Sequence, residues 1–131
     1  MSTNDGFTWH ELMSRDPQAS QRFYEAVAGV EVRAVDGATD YRLLLVDGQP
    51  VAGITGPRPD TDVWPSGGPA GHWVSYLGTN DIERSLEEAR IRGAEVLLAP
   101  TDVPGWGRAA VLRDPDGATF GLICRVAGEP D

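Results

Sequence analysis

Residues 7–17, FTWHELMSRDP, hold the pattern from which the fold of the chain can be predicted. The first seven are mostly apolar, as is typical of a strand, and Asp16 and Pro17 follow soon after. An aspartate carboxylate can accept hydrogen bonds from the first N–H groups of a helix, and a proline at the first helical position gives up only an N–H that would have no partner there. The stretch therefore predicts a strand that runs straight into a helix.

The same pattern returns half a chain later, at residues 71–82, GHWVSYLGTNDI. There Asn80 and Glu83 are spaced as a capping box, in which each side chain bonds to the backbone N–H of the other residue. Apolar residues at helical spacing predict the buried side of each helix. These residues are Ala19, Phe23, Ala26 and Val27 in the first helix, and Ile82, Leu86 and Ala89 in the second.

Each helix is followed by three predicted strands. Turn signals at Asp47-Gly48 and at residues 114–117, DPDG, separate the last two strands of each half, because tight turns need residues that tolerate positive φ. The predicted elements are a strand at 7–14, a helix at 16–28, strands at 30–35, 41–46 and 49–55, then a strand at 71–78, a helix at 80–92 and strands at 94–99, 108–112 and 118–126.

The duplication predicts the fold class. We expect one α+β domain over residues 1–131, with two tandem βαβββ modules at 7–56 and 72–126 and a linker or loop rich in proline and glycine at 57–71. One module cannot bury both faces of its own sheet, so two modules are expected to form an open half-barrel sheet together. Its concave face would enclose a cavity, and the helices would cover its convex face.

Composition disfavours several classes of partner. The chain has 131 residues, of which 40% are hydrophobic, and a formal net charge of −9. Such a surface repels nucleic acid phosphates and anionic membranes, and no apolar run approaches the ~20 residues of a membrane helix. The N-terminus lacks the basic and apolar regions of a signal peptide, so a cytoplasmic protein is expected. A single cysteine, Cys124, allows no internal disulfide and argues against a cysteine metal site.

Three stretches carry a resemblance to a known family: RDPQASQRFYEAVAGVEV at 15–32, TNDIERSLEEARIRGAEV at 79–96 and LRDPDGATFGLI at 112–123. With these stretches in this order, the chain resembles the vicinal oxygen chelate superfamily, which comprises the glyoxalase, bleomycin-resistance and extradiol-dioxygenase folds. WHELMSRDP and RDPDGATFGL are most similar to its branch of glyoxalase-like hydroxylases. The resemblance covers nearly the whole chain.

The resemblance also implies where a divalent ion would be held. Metal-dependent members place His or Glu side chains in the first strand of each half, seven residues before the helix-opening Asp, and in the last strand of each half. In this chain those positions are Trp9, Val74, Gly53 and Gly121. None of them has a side chain that ligates a metal, so we expect no metal and no other cofactor. A metal held by Glu11 and His72, after a two-residue shift, stays open as an alternative.

Alternation along the strands predicts which side chains face the cavity. The residues expected there are Trp9, Glu11, Met13, Val74 and Tyr76. Trp73 falls on the helix side and is expected in the core. Trp64 and Trp106 fall on the two long loops and are expected to contact a ligand from there, because aromatic side chains stack planar or cationic compounds well.

Two further features of the cavity have alternative interpretations. Gly53 and Gly121 either widen the cavity, so that the flat face of a ligand rests on the backbone, or simply mark bends in the strands. Arg108 either contacts an anion at the mouth of the cavity or pairs across strands on the outer surface.

Glu11 is the candidate catalytic residue. A carboxylate on an otherwise aromatic face would be partly desolvated, which would raise its pKa toward the values of a general base. The alternative is that Glu11 pairs with Arg42 or Arg108 and only stabilises the sheet.

Three functional hypotheses follow. In the first, the chain binds a small organic molecule in a metal-free, aromatic-lined cavity. In the second, it is an enzyme of the lyase, isomerase or dioxygenase type, with Glu11 as base or a metal at a non-standard site. In the third, it is a dimerising module without a ligand. We expect a homodimer, with no nucleic acid and no membrane as partner.

Overall fold

The computed structural model describes residues 6–36, 40–57, 71–103 and 107–125. The elements are β1 (Phe7–Met13), α1 (Pro17–Ala28), β2 (Glu31–Val35), β3 (Tyr41–Val46), β4 (Gln49–Thr55), β5 (His72–Gly78), α2 (Ile82–Ile91), β6 (Glu95–Val103), β7 (Gly107–Arg113) and β8 (Thr119–Arg125). We call β1 to β4 with α1 the first module, and β5 to β8 with α2 the second module. The predicted α+β class and the doubled βαβββ order are confirmed. Neither of these helices is long and apolar enough to span a bilayer.

By compactness, the chain divides into two units, Trp9–Val74 and Met1–Thr8 with Ser75–Asp131. The units match the modules except at the first strand of each: the start of β1 groups with the second unit, and the start of β5 groups with the first. The module limits predicted from the sequence stay a prediction.

Strand order is the same in both modules. In the first module the strands lie in the order β2-β3-β4-β1, with β1 parallel to β4 and the other pairs antiparallel. The second module repeats this order as β6-β7-β8-β5, with β5 parallel to β8. Glu11 lies directly across from Gly53, and Tyr76 directly across from Gly121. Each glycine of a last strand therefore faces a residue of the first strand of its module.

The first helix begins as predicted. The Asp16 side chain accepts a hydrogen bond from the backbone N–H of Ala19 at 3.2 Å, and Pro17 occupies the first turn. The Ser14 hydroxyl accepts from the N–H of Asp16 at 3.1 Å and lies 2.7 Å from the hydroxyl of Ser20. These bonds satisfy N–H groups that have no partner inside the helix.

The second helix uses the same device with different residues. Its cap is Asp81, which accepts from the N–H of Arg84 at 3.1 Å, so the predicted cap at Asn80 is wrong by one residue. The Thr79 hydroxyl accepts from the N–H of Asp81 at 3.2 Å and lies 2.8 Å from the hydroxyl of Ser85. The repeat of this arrangement supports an internal duplication.

Each helix packs on one face of the sheet of its module, where a small apolar core forms. In the first module the core consists of Leu12, Val32, Leu44, Ala52 and Ile54. In the second it consists of Ile82, Leu86, Ala110, Leu112 and Leu122. The predicted buried side of α2 is confirmed, since Ile82 and Leu86 are buried and Ala89 packs against this core.

The predicted buried side of α1 is wrong. Phe23 is 57% exposed and Val27 is 66% exposed, and Tyr24 packs on the core instead. The helix turns a more polar side to the sheet, where Gln21 donates to the carbonyl of Val32 at 3.4 Å. Trp73 lies on the helix side as predicted but is 41% exposed rather than in the core, and its ring meets Tyr24 edge-on with centroids 5.6 Å apart.

Candidate functional site

The face of β1 opposite α1 carries the residues that the alternation predicted. Trp9 and Met13 are buried and Glu11 is half-buried, whereas Leu12 points into the core under α1. This face of the first unit is the candidate site.

Tyr41 of β3 joins two of these residues in a hydrogen-bonded chain. Its hydroxyl donates to Oε2 of Glu11 at 2.7 Å and accepts from Nε1 of Trp9 at 3.3 Å. Burial raises the pKa of Tyr41, and the charge of Glu11 raises it further. The phenol therefore stays protonated and acts as a hydrogen-bond donor to the carboxylate.

The ring of Tyr41 occupies the space next to Gly53. A Cβ atom at Gly53 would lie 3.1 Å from Cε1 of Tyr41 and closer still to its hydroxyl. Glycine at this position therefore leaves room for the hydroxyl end of the Tyr41 ring. The surface over Gly53 is therefore formed by the Tyr41 ring rather than by exposed backbone on which a ligand could rest.

In the second unit, Tyr76 lies against Gly121 in a similar way. A Cβ atom at Gly121 would lie 2.7 Å from Cγ of Tyr76, so the ring of the first strand covers the glycine of the last. Tyr76 is buried, as are its neighbours on this face, Ala109, Val111 and Ile123.

The two modules reach this packing with side chains from different strands. Glu11 stands five residues before the cap residue of α1, and Tyr76 stands five before that of α2. Tyr41 lies across from Thr55, two residues after Gly53, and Ala109 lies across from Ile123, two residues after Gly121. The equivalent pairs are therefore Glu11 with Tyr41 in the first module and Tyr76 with Ala109 in the second.

The arginines considered as partners of Glu11 face the helices. Arg42 bonds to Asp40 at 3.1 Å and to Gln21 of α1, so the predicted alternative of an Arg42–Glu11 pair is wrong. Arg108 bonds to Glu83 of α2 at 2.7 Å and alternates with the core residues Ala110 and Leu112. It therefore lies on the helix side of β7, whereas Val111, which is paired with Gly121, lies on the other side.

The remaining predicted site residues divide into two groups. Val74 is fully buried and His72 is half-buried. Trp64 and Trp106 lie outside the described residues, so their contacts with a ligand stay predictions. Sequence reasoning missed Tyr41, because the two-residue turn at Asp47-Gly48 alone would place it across from Ile54, and a register shift between Leu44 and Leu45 brings it across from Thr55 instead.

Two grooves lie on the helix faces. One, in the first unit, is lined by residues that include Phe23, Tyr24 and Trp73. The other, in the second unit, is lined by residues that include Arg84 and Phe120. Neither lining includes Glu11, so the cavity predicted for the concave face stays a prediction.

Comparisons with known proteins identify relatives of the chain. A family model described as the glyoxalase/bleomycin resistance protein/dioxygenase superfamily matches residues 6–122. The chain is 33% identical over 117 residues to a Mycobacterium tuberculosis protein named "Putative glyoxylase CFP32", covering 88% of this chain and 42% of that protein. It is also 33% identical over 123 residues to the anthracycline biosynthesis protein DnrV of Streptomyces peucetius, covering 87% of this chain and 45% of that protein. The chain thus spans less than half the length of these two relatives.

Solved structures share the fold. A variant of methylmalonyl-CoA epimerase from Streptomyces coelicolor, in complex with 2-nitronate-propionyl-CoA, has a TM-score of 0.66 at 21% identity over 96% of this chain and 98% of that one. A variant of homoprotocatechuate 2,3-dioxygenase from B. fuscum has a TM-score of 0.65 at 16% identity over 95% of this chain and 33% of that one. At these identities the likeness concerns the fold alone.

Proposed function

Because the chain belongs to the glyoxalase/bleomycin resistance protein/dioxygenase superfamily, we propose that it binds a small organic molecule on the face that carries Trp9, Glu11 and Tyr41, without the help of a metal ion. The observation that carries the proposal is the 2.7 Å hydrogen bond that fixes the Glu11 carboxylate beside two aromatic rings.

The comparison between modules supports a functional role for this carboxylate. In the second module the equivalent position holds Tyr76, whose ring packs against Gly121. A half-buried carboxylate loses hydration and stabilises a sheet less well than an aromatic ring does. Apolar packing alone would favour an aromatic residue at this position, and binding of a ligand would account for the carboxylate.

The chemistry of the face favours planar ligands that donate hydrogen bonds. The bonds run from the indole of Trp9 to the hydroxyl of Tyr41 and on to Glu11, so the chain of donors ends in an acceptor. A carboxylate has about four lone-pair sites and can accept further bonds from a ligand hydroxyl or ammonium. Aromatic rings and a net charge of −9 both favour a planar cation. The resemblance to an anthracycline biosynthesis protein agrees with a polycyclic ligand.

Quenching of tryptophan fluorescence tests this proposal. Doxorubicin, an anthracycline, and 9-aminoacridine, a planar cation, are titrated into the wild-type chain and into Glu11→Gln and Arg108→Gln. We expect saturable quenching in the wild type. The affinity of Glu11→Gln should be about tenfold or more weaker, since a hydrogen bond to a charged group contributes about 1.5–3 kcal/mol. Arg108→Gln is the control and leaves the affinity unchanged. Equal affinities of wild type and Glu11→Gln would contradict the proposal.

An enzymatic role for the same face is the second candidate. The observation in its favour is that a carboxylate and a protonated phenol lie 2.7 Å apart, which provides a base and a hydrogen-bond donor for proton transfer at carbon. Exchange of a ligand C–H proton with D2O, followed by NMR, measures this activity. Glu11→Gln should lower the exchange rate about a hundredfold or more while binding persists; an unchanged rate would remove Glu11 from the role of base.

We further propose a cytoplasmic homodimer. The relatives are more than twice the length that this chain matches, so a second copy would supply a comparable length of chain. Light scattering on the purified chain measures the mass directly. A single species of 14.1 kDa would contradict this part of the proposal.

A further inference from the structure

The family implies a divalent ion, and the residues at the implied positions do not fit one. The four positions are occupied by Trp9, Val74, Gly53 and Gly121. The indole N–H of tryptophan only donates hydrogen bonds and has no lone pair for a metal. The side chains of the other three residues have no nitrogen, oxygen or sulfur atom that could bind one. Among the described residues, no group of three or more His, Cys, Asp or Glu side chains could hold a metal ion.

The space that last-strand metal ligands would need is already filled. Next to Gly53 it holds the ring of Tyr41, and next to Gly121 it holds the ring of Tyr76. Neither glycine has a positive φ, so the backbone at these positions would accept an ordinary residue. It is the tyrosine ring, and not the backbone conformation, that excludes a side chain here.

The two tyrosines are not equivalent in the duplication. Tyr41 comes from β3, whereas Tyr76 comes from β5, the first strand of its module. Each nevertheless lies against the glycine of its own module. The two modules therefore share a glycine covered by a tyrosine ring, although the ring comes from a different strand in each.

We propose that in both modules a tyrosine ring has taken the space of the metal ligand, so that the chain holds no divalent ion at either of these positions. The hydroxyl of Tyr41 supports this in the first module, because it donates a hydrogen bond to Glu11, keeps its proton and is therefore not available as a phenolate ligand. The inference does not depend on which molecule the face binds.

A double-mutant cycle tests the packing. Gly53→Ala places a methyl group against the ring of Tyr41, so we expect it to lower Tm by about 5 °C or more. In a Tyr41→Ala background the same change should have little effect. Gly56→Ala is the matched control, because a Cβ there would lie 3.4 Å from its nearest neighbour, Cγ of Pro17, which is an ordinary contact. Additive effects of Gly53→Ala and Tyr41→Ala would overturn the proposal for this module.

Metal titration tests the consequence. Mn²⁺, Ni²⁺ and Zn²⁺ are titrated by calorimetry into the wild-type chain and into Glu11→Gln. We expect no stoichiometric site that depends on Glu11. Weak binding that is equal in both proteins would place the ion away from Glu11 and would agree with the proposal. A one-to-one site in the wild type that Glu11→Gln abolishes would overturn it. This result is separate from the quenching experiment, since a chain that binds no metal can still fail to bind doxorubicin.

Discussion

The two modules have the same strand order, the same type of helix cap and a glycine covered by a tyrosine, yet only in the first is the residue across from that glycine a carboxylate. In the second module Tyr76 covers Gly121 from directly across the strand pair. In the first, Tyr41 covers Gly53 from β3, and the position across from the glycine is Glu11. In each module one pair of side chains fills the space over the glycine. The pair is Glu11 with Tyr41 in the first module and Tyr76 with Ala109 in the second, so only the first pair contains a carboxylate.

This difference teaches how a duplicated fold can separate packing from function. Once a neighbouring strand supplies the aromatic ring, the position on the first strand no longer has to fill space. That position can then hold a carboxylate, and the same tyrosine supplies the hydrogen bond that fixes it. In the second module the residue on the first strand, Tyr76, fills this space itself.

The largest effects are expected in the two cores, where the modules should behave alike. Ile54→Ala in the first module and Leu112→Ala in the second each remove a fully buried side chain. We expect each to lower the free energy of unfolding by about 2–5 kcal/mol, measured by urea denaturation. A loss below about 1 kcal/mol for one of them would mean that its module is not part of the cooperative structure.

A swap variant tests whether the modules are interchangeable in packing. Tyr41→Ala alone leaves the space next to Gly53 empty and should lower the free energy of unfolding by about 3 kcal/mol. The double variant Glu11→Tyr with Tyr41→Ala imports the side chains of the second module and should recover at least half of that loss, again measured in urea. No recovery would break the equivalence between the two pairs.

Tyr41→Phe isolates the polar contact of the first module. Losing the hydroxyl should lower the free energy of unfolding by about 1–2 kcal/mol at neutral pH, because the hydrogen bond to Glu11 is lost. The pKa of Tyr41 is raised by burial and by Glu11, so the folded chain holds this proton after the unfolded chain has lost it. Stability is therefore fully present below about pH 10, the pKa of an unfolded tyrosine, and falls as the pH rises above it.

Unfolding measured at pH 8 and at pH 10.5 checks the sign. The wild type should lose stability between these values, and Tyr41→Phe should lose less. A variant with the same alkaline loss as the wild type would show that another group is responsible.

The helix caps should give smaller effects of equal size in the two modules. Asp16→Ala and Asp81→Ala each remove a carboxylate that accepts from the first turn, so each should lower the free energy of unfolding by about 1 kcal/mol. Glu87→Ala, at an exposed position of α2, is the control. A loss at Asn80→Ala as large as at Asp81→Ala would contradict the observed cap.

Features that depend on a few neighbouring residues could be predicted from the sequence. The hairpin turns, the cap at Asp16 and the doubled element order follow from local spacing, and the alternation placed Glu11 on the same face as Trp9. Asp81 was missed because Asn80 is an equally good cap by type, and only the backbone geometry distinguishes the two.

Features that depend on register across strands could not be predicted in the same way. Tyr41 reaches Glu11 through the pairing of β3 with β4 and of β4 with β1, which combines two registers. The exposed side of α1 was misjudged because its polar residues find partners on the sheet, such as Arg42 for Gln21, and this leaves Phe23 outside. Hydrophobic periodicity alone does not contain these pairings.

The most direct test of the account is doxorubicin binding by the swap variant, Glu11→Tyr with Tyr41→Ala, once its stability has been measured. The variant keeps an aromatic ring over Gly53 but has no carboxylate on this face of β1. We predict a folded protein whose affinity for doxorubicin is at least about tenfold weaker than that of the wild type. A folded swap variant that binds doxorubicin as tightly as the wild type would contradict the claim that Glu11 is the functional residue of the first module.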